Sequence, residues 1–319
     1  MTTFDDVLAA RARIAPFIHD TPVLRCAAVD DAAGTRVHLK AEHLQRTGAF
    51  KFRGATNAVR SLADDVAPRG VAAHSSGNHS AALALAASMR GIACHIVMPH
   101  TAPRAKQEAT AGYGAEVVLC DNTMGDRERA LAQVLERTGA TEIHPFAHPD
   151  VVAGQGTATL DLLRAVPGIR TVVAPVSGGG LLSGAAVAAR GVDPTVVVRG
   201  AEPVLVDDAA RSVAAGRVEA PGPGGTIADG LNATLGAGSL AILLDHGVEV
   251  VTVTEAEIVA AMRLLWERAK QVVEPSGAVP LAGVLALHRA GVDLGPDVGV
   301  VLSGGNVDLD DLPFRQEGA

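Results

Sequence analysis

Short β-branched runs punctuate the chain at Val37 to Lys40, Val71 to His74, Cys94 to Met98, Glu116 to Cys120, Thr171 to Val176, Thr195 to Val198, Val248 to Val253 and Val298 to Leu302. Each predicts a strand. Between many of them lie Ala- and Leu-rich stretches at helical spacing, such as His79 to Arg90 and Asp126 to Arg137. Gly91 and Gly139 follow these two stretches, where glycine can take the left-handed conformation that ends a helix. Strand-helix alternation implies a mostly parallel sheet.

One repeating strand-helix series occupies roughly residues 61–147 and a second begins after Val151. The segment His144 to Asp150, with two prolines, reads as the crossing between them. The expectation is an α/β fold of two lobes, a small one of residues 61–147 and a large one of 1–60 with 148–319. A ligand cleft is expected where strand carboxyl ends and helix amino ends meet. No low-complexity tail, heptad series or long repeat is present, and after about residue 308 the chain turns polar and is expected to fray.

With 319 residues, 48% of them hydrophobic and 19% charged, the chain has ample apolar surface for a buried core. Aromatics make up only 3%, so Ala, Val and Leu must fill that core. A net charge of −8 and the absence of a basic run with aromatics argue against nucleic acid as a partner. Apolar stretches are broken before they reach membrane-spanning length, and the amino terminus is acidic, so neither a membrane span nor an export signal is expected. Cys26, Cys94 and Cys120 form an odd set without a C-x-x-C pair. They fit neither a disulfide framework nor a structural zinc, and a cytoplasmic location follows.

Four clusters carry chemistry. In Arg46-Thr-Gly-Ala-Phe-Lys-Phe-Arg-Gly-Ala55, Lys51 sits between two phenylalanines ahead of a helical stretch, and a lysine in apolar surroundings is a better amine nucleophile. An isolated lysine on a helix would be merely solvated, so its weight comes from its neighbours. His74-Ser-Ser-Gly-Asn-His-Ser80 falls between a strand and a helix, where free amides and the helix dipole receive an anion, although an ordinary capped helix predicts the same turn. Pro175-Val-Ser-Gly-Gly-Gly-Leu-Leu-Ser-Gly184 lets successive amides close on a phosphate. It matches neither G-x-G-x-x-G nor the P-loop pattern. Val301-Leu-Ser-Gly-Gly-Asn-Val-Asp308 places Ser303 at a strand's carboxyl end, where a hydroxyl can bond a ring nitrogen without adding charge.

His144 and His148 are four apart, but Pro145 breaks helical spacing, so both read as satisfied loop histidines rather than metal ligands. The common hydrolase signatures H-E-x-x-H and G-x-S-x-G are absent.

In this order the clusters resemble the serine/threonine dehydratase family of pyridoxal-phosphate enzymes, which has the tryptophan synthase β-like fold and also contains serine racemases and 3-hydroxyaspartate dehydratases. The likeness runs from Thr21-Pro22 through Gly154-Gln-Gly-Thr157 and Glu274-Pro-Ser-Gly277 to Ser303-Gly-Gly-Asn306. It implies that the large lobe binds pyridoxal 5′-phosphate, with Lys51 holding it covalently. Phe50 would lie against its ring, Asn78 would bond its phenolic oxygen, and Ser303 would face its pyridine nitrogen. Ser177, Gly178, Gly179, Gly180 and Leu181 would bind the phosphate. Ser177 stands where the family commonly has a first glycine, and its hydroxyl is expected to donate to phosphate. Ser75, Ser76, Asn78 and His79 would receive the substrate carboxylate, and Arg127 a second one. Glu202 and Asp208 would hold a cation, Mg2+, Ca2+ or a monovalent ion.

The implied reaction is dehydration and deamination of threonine, serine or 3-hydroxyaspartate, with Lys51 as both tether and base. Ser76 matches the position that reprotonates the opposite face in racemases, which keeps amino-acid racemisation open. A non-catalytic amino-acid or nucleotide sensor and a β-replacing enzyme are the rivals; Lys51 opposes the first and the Ser-Ser-Gly-Asn-His turn the second. The resemblance further implies a homo-oligomer, a dimer. The short run after Ser303 leads to the expectation that no C-terminal regulatory domain follows.

Overall fold

In the computed structural model the described residues are 1–222 and 224–314. The chain opens with α1 (Phe4–Ile14), β1 (Val23–Leu24), α2 (Ala27–Ala33), β2 (Arg36–Lys40) and α3 (Lys51–Ser61). There follow β3 (Val71–His74), α4 (Asn78–Arg90), β4 (Cys94–Pro99), α5 (Arg104–Gly112), β5 (Glu116–Cys120), α6 (Met124–Thr138) and β6 (Thr141–Glu142). The rest comprises α7 (Pro149–Ala165), β7 (Thr171–Pro175), α8 (Gly180–Val192), β8 (Val197–Pro203), α9 (Asp208–Ala215) and α10 (Ala237–Asp245). It closes with β9 (Glu249–Val253), α11 (Glu255–Leu264), α12 (Pro275–Arg289) and β10 (Asp297–Val301).

Two separate sheets form. The six-stranded one runs β1-β2-β10-β7-β8-β9 and is parallel except for β1. The four-stranded one runs β5-β4-β3-β6 and is parallel throughout. Parallel neighbours need helical crossovers, and the helices cover the sheet faces. Local chemistry sets the helix ends: Thr123 accepts from the Asp126 N–H at 3.1 Å while the Asp126 carboxylate takes the Thr123 N–H. The αL glycines expected after α4 and α6 are present, with φ of 74° at Gly91 and 67° at Gly139.

The core is poor in rings, as the composition requires: Phe52 is the one buried Phe, Tyr or Trp among the described residues. A buried polar network anchors α3. Arg53, fully buried, donates to both Glu42 oxygens at 2.7 and 2.8 Å and to Asp161 at 2.9 Å. Lys40 donates to the Thr21 carbonyl at 2.6 Å beside it. Removing either side of such a pair strands a buried charge, so the network fixes the helix that begins with Lys51.

Two expectations are corrected. The strand placed at Thr195 to Val198 is Val197–Pro203, because the Asp193 carboxylate caps the Thr195 N–H at 2.8 Å and holds residues 193–195 in a turn. Pairing with β7 on one side and β9 on the other then carries the strand through Gly200 and Glu202. The tail expected to fray after 308 packs as far as Phe314. The Phe314 ring stands edge-on to Trp266 at 5.3 Å, and its carbonyl accepts from Arg263 at 3.0 Å. The remainder of that expectation, residues 315–319, lies outside the described residues.

Candidate active site

Lys51 is the first residue of α3, and its Nζ donates to the Pro145 carbonyl at 3.0 Å. That is its one hydrogen bond among the described residues. The amine lies 5.3 Å from the centroid of the Phe50 ring. Burial away from water pushes its pKa down to about 8, because the charged form loses hydration. Phe50 is held by its main-chain N–H, which donates to the Ser303 carbonyl at 2.9 Å. Ser303 is itself buried just past β10, its hydroxyl making only a long 3.4 Å contact to the Ser276 carbonyl.

The glycine loop leaves β7 and enters α8. Among the described residues none of the four amides from Gly178 to Leu181 donates to a protein acceptor. Four free donors at a helix start form an anion cradle. The glycines are dictated by contact: a Cβ on Gly178 would sit 2.3 Å from the Phe146 ring, and one on Gly179 would sit 2.4 Å from Ser239. The Ser177 hydroxyl accepts from the Ala233 N–H at 3.2 Å and donates back to the Ala233 carbonyl at 3.3 Å, so it braces residue 233.

In the turn before α4, the Ser75 N–H donates to Val97 and the Ser75 hydroxyl accepts from Gly77. The Ser76 hydroxyl has no partner among the described residues. The Asn78 Nδ2 donates to Glu274 Oε1 at 2.8 Å and its Oδ1 accepts from Asn306 at 2.8 Å, which leaves one Nδ2 hydrogen uncommitted. The His79 imidazole is buried with Nε2 2.9 Å from the Ile143 carbonyl, which leaves its main-chain N–H as the group available to a carboxylate. Arg127, in the first turns of α6, has its Nε buried without a partner. Helix α6 packs on β3, the strand that leads into the Ser75 turn.

Glu202 follows Ala201, whose carbonyl accepts from the Val176 N–H, and Asp208 holds Leu235, whose side chain lies against Gly179 of the glycine loop. Glu202 accepts from the Ala210 N–H at 2.6 Å and the Ala209 N–H at 3.3 Å, and Asp208 from the Leu235 N–H at 2.8 Å. Burial, with the neighbouring carboxylates adding to it, pushes Glu202 up to about 8. No cationic side chain pairs with either carboxylate among the described residues. Nor does any group of three or more His, Cys, Asp and Glu side chains there form a metal site, so a cation would need main-chain or water oxygens as well.

The sequence reading passed over four participants. Glu274 and Asn306 fix Asn78, and Pro145 and Phe146 contact Lys51 and the glycine loop. Glu274 and Asn306 lie inside motifs already noted, while nothing in the sequence marks a proline carbonyl. No helix of the described residues is long and apolar enough to cross a membrane.

The donor set fits pyridoxal phosphate: a desolvated lysine amine, an aromatic ring beside it, a free-amide cradle and an uncharged hydroxyl at the remaining end. Fold and site together define a pyridoxal-phosphate enzyme of the tryptophan synthase β-like type. A family model described as pyridoxal-phosphate dependent enzyme matches residues 14–304, and the chain belongs to that family. It is 44% identical to the beta-hydroxyaspartate dehydratase of Paracoccus denitrificans, covering 98% of this chain and 99% of the relative. It is similar to the solved serine racemase of Dictyostelium discoideum, with 42% identity, TM-score 0.93 and coverage of 97% and 99%. A solved threonine deaminase from T.th. matches at 44% identity and TM-score 0.90, covering 96% of this chain and 99% of that one.

Proposed function

We propose that the protein dehydrates and deaminates a hydroxy amino acid, threonine, serine or 3-hydroxyaspartate, to a 2-oxo acid and ammonia. The observation that carries this reading is the Lys51 amine, kept desolvated with a neutral carbonyl as its partner, between the glycine loop and the Ser75 turn. Bound pyridoxal phosphate would supply the electron sink that makes the substrate α-proton removable. Lys51 would hold it through its amine and, as a free amine, would serve as the base for the α-proton. The amides of Ser76, Asn78 and His79, free of protein acceptors, would hold the substrate carboxylate, and the free amides from Gly178 to Leu181 would hold the phosphate. Phe50 would lie against the ring, and Asn78, with one Nδ2 hydrogen uncommitted, would bond the phenolic oxygen. Ser303 would present a hydroxyl, not a carboxylate, to the ring nitrogen, which would favour prompt loss of the β-hydroxyl over transamination. The released enamine tautomerises and hydrolyses in solution.

Arg127 weighs the substrate toward 3-hydroxyaspartate, because an unpartnered guanidinium nitrogen on the helix packed against β3 suits a second carboxylate. Racemisation is the second reading, supported by the unpartnered Ser76 hydroxyl and the racemase likeness. Glu202 and Asp208 complete the reading as a cation site, supported by their burial without a positive partner. The family likeness extends it to a cytoplasmic homodimer.

The test is incubation with serine, threonine and 3-hydroxyaspartate, following 2-oxo acid and ammonia and resolving optical isomers of recovered substrate. Lys51→Ala should fold normally, lose the covalent cofactor and lose turnover. A fully active Lys51→Ala enzyme would end the assignment.

A further inference from the structure

The turn joining β6 to α7 is unexplained by the roles above. His144 Nδ1 accepts two main-chain N–H groups, those of Phe146 at 3.4 Å and Ala147 at 3.2 Å. The ring proton therefore sits on Nε2, and one acceptor ties residues 144–147 into a compact turn. The His144 ring stands edge-on to Phe146, centroids 4.5 Å apart, and to His74 at 6.2 Å. Phe146 belongs to none of the hydrophobic core clusters. Its ring lies instead against the glycine loop, in the space that a Cβ on Gly178 would enter. Between these two anchors the Pro145 carbonyl meets Lys51 Nζ.

A lysine that serves as tether and base is a free amine during part of every turnover. It must then stay near the α-carbon without gaining a carboxylate partner, which would hold it protonated. A carbonyl fixed by a rigid turn meets both needs. We propose that the turn His144–Ala147 is a cradle for the free amine of Lys51, braced on the glycine loop, with His144 and Phe146 as positioning residues. This rests on the reading of Lys51 as the reacting amine.

The groups facing the turn are His74 from β3, Lys51 from α3 and His148 at the head of α7, while Glu128 of α6 and Glu142 of β6 line a cavity of about 200 Å³ shared with His74 and His144. Burial first, then His74 and Lys51, push His144 down to about 4, so it stays neutral and able to accept across the working range.

The test follows capture of added pyridoxal phosphate by the full chain, by absorbance, as a function of pH. His144→Ala should slow capture and weaken cofactor binding by about tenfold, and should move the capture midpoint upward as water reaches the amine. His144→Asn, whose side-chain oxygen can accept the same amides, should restore parent behaviour. A parent-like His144→Ala, or a His144→Asn as damaged as His144→Ala, overturns the proposal. Should His144→Ala fail to fold, Phe146→Leu supplies the measurement: weaker binding with a raised midpoint supports the cradle, and parent values refute it. Borohydride trapping on the parent enzyme separates the two readings, since label on a side chain other than Lys51 defeats the reaction assignment whatever the variants do.

Discussion

Asn78 donates to Glu274 across 2.8 Å, and that bond ties the first residue of α4, packed on the four-stranded sheet, to the N-cap of α12, packed on the six-stranded one. Asn306 closes the arrangement from the other side of the Asn78 amide, and Lys106 reaches Asp229 at 2.6 Å nearby. The orientation of the Asn78 amide is thus set by residues of α12's N-cap and the segment after β10.

Glu274 gives this contact a pH dependence. Burial first and Asp229 second push its pKa up to about 8 from an ordinary 4.5. A raised carboxyl pKa contributes stability that is complete below 4.5 and is lost as pH climbs through about 8. Relative to Glu274→Gln, the parent chain should therefore lose melting temperature between pH 5 and pH 9. Parallel curves for the two proteins in thermal scans would contradict the buried-acid account.

Arg127 is the specificity prediction. Arg127→Ala should cut kcat/KM for 3-hydroxyaspartate by about tenfold or more and leave threonine within about twofold, because one substrate alone presents a second carboxylate. Equal losses on both substrates would remove the residue from substrate recognition.

Gly178 tests the cradle from the glycine side. A methyl group at this position enters the Phe146 ring at 2.3 Å, so Gly178→Ala must displace either the ring or the loop. Overpacking of this kind costs about 1–3 kcal/mol, and cofactor affinity should fall by roughly tenfold in an absorbance titration. Unchanged affinity would show that the loop has slack which the contact distances do not suggest.

For Glu202 and Asp208 the expected outcome is stabilisation by a divalent cation. Treatment with a chelator should lower the melting temperature by about 5 °C, restored by Mg2+ or Ca2+ and absent in Glu202→Gln. Identical melting curves with and without chelator would leave these carboxylates as caps of α9 and of the segment at Leu235.

Strand and helix positions were legible in the amino-acid order wherever local periodicity and helix-ending glycines acted alone: β3 and β5 fall at the anticipated residues, and Gly91 and Gly139 end their helices. The local setting of two motifs was equally legible, since the lysine that opens α3 and the glycine run that opens α8 are contiguous in sequence. Contacts between distant segments were not. The displaced start of β8, the inward imidazole of His79, the engaged hydroxyl of Ser177 and the docking of Phe314 on Trp266 each depend on a partner supplied by the folded chain. So does the meeting of Lys51 with a carbonyl 94 residues away. Local sequence encodes backbone preference and burial pattern, but which polar atom meets which is settled only when packing brings the elements together and desolvation makes every unpaired group costly.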